Sequence, residues 1–192
     1  MPDLSTGPSS SPPARAGDPV WVDVWDAPLR LLHWAMAAAV LIAYFSANVF
    51  DTVHEIAGYT VLALVVLRVA WGFVGTRHSQ FKSSVRPPRV VLRFLGQIAR
   101  RQPGRYLGLN PAGAAMAIVL LALLAISVVS GWMQITEQFF GVDWVERVHT
   151  ISSNAVLILA AVHVVGVVVM CALQRENLVR AMITGKKRQR AE

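Results

Sequence analysis

Four long apolar windows constrain this chain more than anything else in it. Residues 29–49, 54–75, 111–133 and 148–173 each run for about twenty residues or more with almost no ionisable side chain. About 20 residues at 1.5 Å each cross a hydrocarbon layer of roughly 30 Å, so each window can span a bilayer. A lipid-facing segment must satisfy its own backbone N–H and C=O groups, which restricts it to a helix or a closed barrel. The runs are continuous and rich in Ala, Leu and Val, which reads as helix and not as strand. The expected fold is an all-α integral membrane protein, a bundle of four transmembrane helices. The third window has no ionisable residue between Pro111 and Gln134, but the second contains Arg68 and the fourth contains His163.

The rest of the chain is organised around these windows. Pro, Ser, Gly and Ala dominate its first seventeen residues, so 1–20 reads as a disordered tail. It lacks the short basic segment that precedes the apolar run of a secretory signal. Trp21 and Trp25 suit a membrane interface, and Pro28 is tolerated in a first helical turn. The four-helix unit is expected to occupy 21–188, leaving 189–192 as a short tail. A single cysteine, Cys171, excludes an internal disulfide and a C-x-x-C-H attachment site for covalent haem.

Charge sets the orientation. The chain has 18 Lys+Arg against 11 Asp+Glu, a net charge of +7. The connection between the second and third windows holds Arg77, Lys82, Arg86, Arg89, Arg93, Arg100, Arg101 and Arg105 and no acid. The segment after the fourth holds Arg175, Arg180, Lys186, Lys187, Arg188 and Arg190. The other two connections contain one base, Arg147, with Asp51, Glu55, Glu137, Asp143 and Glu146 in or beside them. By the positive-inside rule both termini and the middle connection are cytoplasmic, in a multi-pass membrane protein. The positive charge is then a topology signal, and no nucleic-acid partner is expected. Residues 88–101 alternate Val90, Val91, Phe94, Leu95 and Ile98 with Arg89, Arg93, Gln97, Arg100 and Arg101. This two-faced pattern predicts a short helix lying on the inner leaflet, anchored on anionic lipid or docking a partner.

The histidines carry the chemistry. An imidazole inside a spanning segment is costly and points to function, although it can also serve as a hydrogen-bonding group between helices. His149 and His163 lie 14 residues apart on one helix, which returns them to one face about 21 Å apart along the axis. His33 lies about one turn into the first helix from the cytoplasmic side, and His54 begins the second from the periplasmic side. Helix direction therefore puts His33 and His163 at the inner level, and His54 and His149 at the outer one. Two bis-histidine pairs stacked across a bilayer suit two haem irons, since two axial imidazoles leave no open site for oxygen. Arg68 is 14 residues after His54, on that helix's same face at the inner level, where a guanidinium can meet a haem propionate or a quinone oxygen. Gly58 and Gly166, one turn from His54 and His163, would let a flat macrocycle approach the backbone, or else serve helix contact. His78 falls in the basic connection and reads as solvated or headgroup-facing. Paired acids at Asp51 with Glu55, and Glu137 with Asp143, read as exposed loops and not as a metal site.

The order and spacing of short motifs resemble a known family. They are Val24-Trp25-Asp26-Ala27-Pro28 through His33-Trp34, His54-Glu55-Ile56-Ala57-Gly58-Tyr59, Leu67-Arg68-Val69-Ala70-Trp71-Gly72, Val148-His149, Val162-His163, and Asn177-Leu178 through Gly185-Lys186. The chain resembles the bacterial dihaem cytochrome b561 group, which includes the b-type subunits of nickel–iron hydrogenases. The resemblance implies a four-helix membrane cytochrome with two non-covalent haems b, ligated by His33, His54, His149 and His163. It further implies electron transfer between quinone and a periplasmic partner, either a hydrogenase or a small c-type cytochrome. The acidic outer loops would attract a basic partner. Two other readings stay open at this point. One is a non-redox anchor or proton-relay bundle. The other is a superoxide-to-quinone oxidase, for which Arg147 is the one outer basic candidate.

Overall fold

In a computed structural model, described over residues 20–76 and 79–189, Asp26 fixes the start of the first span. Its backbone is extended and its Oδ1 accepts the Leu29 amide at 2.8 Å, with Pro28 in the first turn. That satisfies one of the donors a helix start leaves open. A short strand, β1 (Val20–Asp23), precedes α1 (Ala27–Ser46), and α2 (Asp51–Val74) returns antiparallel to it. The basic connection holds α3 (Phe81–Ser84) and α4 (Pro88–Ala99). Helices α5 (Pro111–Gln134) and α6 (Asp143–Gln174) complete the set of long helices. The chain then runs through α7 (Leu178–Thr184) into β2 (Lys186–Gln189). Among the described residues, α1, α2, α5 and α6 are the helices long and apolar enough to cross a membrane.

The long helices extend past the apolar windows where polar first turns suit them. Helix α6 starts at Asp143, with Asp143 and Glu146 in its first turn, and α2 starts at Asp51. Carboxylates there meet the positive end of the helix dipole. Helix α5 is capped by Asn110, whose side chain accepts the Gly113 amide at 2.8 Å.

The described segments before the first span and after the last meet in a structure that the apolar pattern does not predict. Strands β1 and β2 pair antiparallel, from Val20 opposite Gln189 to Asp23 opposite Lys186. The amides of Val24 and Trp25 donate to the Gly185 carbonyl at 2.8 and 3.0 Å. Gly185 caps α7 at φ 84°, where an added Cβ would stand 2.6 Å from the Trp25 carbonyl oxygen, so glycine is required. Val24, Trp25 and Leu29 form a small core here with Trp71, Leu109 and Met182. The segments flanking the bundle are thus ordered from Val20 and through Gln189, where composition reads as tail up to 20 and again from 189. Four-residue strands carry too little pattern to stand out, and each finds its partner at the opposite end of the chain. The reading of His78 as headgroup-facing, and of 1–17 as disordered, concerns residues outside those described.

Packing is sequential: α1 lies on α2, α2 on α5, and α5 on α6. A central cluster of Ala39, Val61, Val65, Leu124 and Val156 joins them. Small polar residues allow α5 and α6 to close up. The Ser127 and Ser153 hydroxyls are 2.7 Å apart, while Ser130 and Ser152 donate back to their own helices' Ile126 and Val148 carbonyls. Much of the apolar surface points outward, with Leu31, Phe45, Phe73 and Ile151 all exposed. That is the distribution a bundle solvated by lipid requires, and the reverse of a water-soluble core.

Candidate functional site

Helix α6 runs alongside α5, and its histidines reach across to α1 and α2. The end of the bundle that holds the paired strands is the near end. There His33 of α1 and His163 of α6 face each other with ring centroids 6.3 Å apart and planes at 62°. At the far end His54 of α2 and His149 of α6 stand 6.1 Å apart, planes at 84°. All four imidazoles are half-buried.

The far pair is oriented by backbone. His54 Nδ1 lies 2.7 Å from the Ala43 carbonyl oxygen of α1, and His149 Nδ1 lies 2.8 Å from that of Ser127 on α5. A carbonyl can only accept, so each Nδ1 carries the proton and donates it. In the neutral ring Nε2 then holds the free lone pair, the arrangement found in metal-binding histidines. Gly131 of α5 backs onto the same His149 ring: a Cβ there would come 2.9 Å from Cε1 and 3.0 Å from Nδ1.

At the near level Arg68 of α2 stands over the Phe81 ring, 5.0 Å from its centroid, and makes a long 3.5 Å hydrogen bond to the Ser79 carbonyl. Its Nη1 is buried and has no hydrogen-bond partner among the described residues. A Cβ at Gly58 or at Gly166 would meet nothing within 4 Å, so open space lies over both.

Asp26 closes this end. Besides capping α1 it accepts Trp71 Nε1 at 3.2 Å, and the hydroxyls of Thr76 and Ser79 at 2.5 Å each. Partial burial pushes its carboxyl up. Hydrogen bonds from Ser79, Thr76, the Leu29 amide and Trp71 outweigh that and hold it below the usual 3.8. The sequence offers Asp26 and Gly131 no role. Asp26 is one acid in an interfacial stretch, and Gly131 sits in a window without ionisable residues. The Ser127, Ser130 and Gly131 cluster of small residues was the available signal for the latter.

The prokaryotic cytochrome b561 family matches residues 24–185 of the chain. The chain belongs to that family. It is similar to a probable Ni/Fe-hydrogenase B-type cytochrome subunit of Rhodobacter capsulatus, at 26% identity over 86% of this chain and 81% of the relative. A protein of the same description from Bradyrhizobium diazoefficiens is 24% identical, covering 97% of this chain and 94% of the relative. One from Rhizobium leguminosarum bv. viciae is 24% identical over 86% and 88% respectively. No solved structure matches the chain.

The chain is therefore a membrane b-type cytochrome, so haem b and electron transport belong to it, and a non-redox anchor loses its support. The four histidines fit the group. Metal–imidazole bonds run about 2 Å, and with one on each side of an iron the ring centroids stand about 6 Å apart, the separation found in both pairs. The orphaned Arg68 Nη1 and the open space over Gly58 and Gly166 fit an anionic, flat cofactor as well.

Proposed function

We propose that this cytochrome holds two non-covalent haems b, one between His33 and His163 and one between His54 and His149. On this reading it transfers electrons across the bacterial inner membrane between the quinone pool and a periplasmic redox partner. The observation that carries the reading is the pair of ring separations, 6.3 and 6.1 Å, at two levels of one bundle. When bound, haem b would supply a one-electron iron couple, held between paired imidazoles. The chain supplies the rest. His54 and His149 keep Nδ1–H on carbonyls and present Nε2. Gly58 and Gly166 leave room for a flat ring beside the backbone. Arg68 offers its free guanidinium nitrogen to a propionate or to a quinone oxygen.

The near end is the cytoplasmic one, because the basic connection and the basic C-terminal segment flank it. The far end is periplasmic and carries the exposed acids Asp51, Glu55, Glu137, Asp143 and Glu146. These steer a partner with a basic docking surface. The description of the relatives as hydrogenase B-type cytochrome subunits supports a hydrogenase as that partner.

The test is haem content against protein, with a reduced-minus-oxidised spectrum. Two haems b per chain are expected, low-spin and without a carbon monoxide complex. A ratio near one, or a high-spin oxidised form, overturns the pairing.

A further inference from the structure

A groove of about 190 Å³ opens between the α3–α4 connection and first turn of α4 on one side and the near half of α5 on the other. Val85, Val91, Ala115, Ile118 and Val119 form its apolar walls, and Arg86 is its one charged lining residue. Helix α4 is fixed beside it by Phe94, which is 2% exposed and meets the Tyr106 ring edge-on at 5.5 Å. Arg86, Arg89 and Arg93 are exposed, and none makes an ion pair among the described residues. The sequence from 77 to 105 contains no carboxylate with which they might do so.

Apolar walls beside unpaired guanidiniums, at and just before the start of a helix on the membrane surface, are complementary to an amphiphile with a negative head. We infer that the groove binds one anionic phospholipid. An acyl chain lies along Val91, Ala115, Ile118 and Val119. The phosphate pairs with Arg86, and Arg89 adds to the local positive charge. A zwitterionic lipid would bring an ammonium group into a segment with no carboxylate to receive it. A quinone head is neutral and leaves the guanidiniums uncompensated. The inference rests on the membrane reading of the bundle and is independent of which histidines hold haem.

The experiment is native mass spectrometry of the detergent-purified full chain, delipidated and then mixed with phosphatidylglycerol, phosphatidylcholine or ubiquinone. The wild type should retain one phosphatidylglycerol at least about fivefold more than phosphatidylcholine, the factor expected for one basic residue at an anionic headgroup. Arg86→Gln should bring the two lipids to similar retention. Ala115→Phe, which fills the groove without altering charge, should lower retention of both. Arg100→Gln, at the other end of α4, should change neither. The visible spectrum of each variant reports whether the bundle is intact, and if Arg86→Gln loses its spectrum, Ala115→Phe carries the test. Equal retention of the two lipids by the wild type overturns the inference. So does phosphatidylglycerol retention that survives Ala115→Phe, or preferential retention of ubiquinone.

Discussion

Gly131 lies against the imidazole of His149, close enough that a Cβ would fall 2.9 Å from the ring. Two helices thereby fix one side chain: α5 supplies both the flat surface at Gly131 and the Ser127 carbonyl that receives Nδ1–H. Gly131→Ala should therefore remove or shift the haem component held by His54 and His149 and leave the other unchanged. Alanine in a helix interior would by itself stabilise by roughly 0.5–1 kcal/mol, so a loss runs against propensity and reports the ring. The difference spectrum and haem-to-protein ratio measure it. An unaltered far-level component would show that the ring tolerates the methyl group.

His33→Ala and His163→Ala should lose the same spectroscopic component, and the double variant should lose little more, since both changes remove one site. His54→Ala and His149→Ala should lose the other. Protein yield measured alongside separates loss of a site from loss of the fold. Different components missing from His33→Ala and His163→Ala would dissolve the pairing.

Arg68 is half-buried at the near level, with its Nη1 enclosed and unpartnered among the described residues. Arg68→Gln should lower the midpoint potential of the haem held by His33 and His163, because the cation favours the more reduced, more negative state. A shift of roughly 50–100 mV corresponds to about 1–2 kcal/mol for one electron at a partly buried site. Redox titration resolves the two components, and a shift confined to the far one would remove Arg68 from the near level.

Asp26 joins the start of α1 to the end of α2 through Trp71, Thr76 and Ser79. Its carboxyl titrates below the usual 3.8 in the folded protein, so the stabilisation is fully present above that value and is lost as pH falls through the folded one. Thermal release of haem should come at lower temperature as pH drops below about 4. Asp26→Asn should flatten that dependence, and Asp26→Ala should cost at least about 1 kcal/mol through the lost cap. An acid dependence identical in wild type and Asp26→Asn would assign the effect to other carboxylates.

The sequence by itself determined the number of spans, their order and the level of each histidine, because run length and helical period are local properties. Counting 14 residues is enough to align His149 with His163. Level is not proximity, however. Rings at equal depth on helices that stand apart never meet, and only the closing of the bundle, with α6 across from α1 and α2, brings His33 to His163 and His54 to His149. The same limit hid Asp26, whose partners lie 45 to 53 residues away, and Gly131, which has no side chain to announce its purpose. It also hid the pairing of Val20–Asp23 with Lys186–Gln189. Each of these depends on contacts between segments distant in the chain, and such contacts are fixed by tertiary packing, where local hydrophobic pattern has no say.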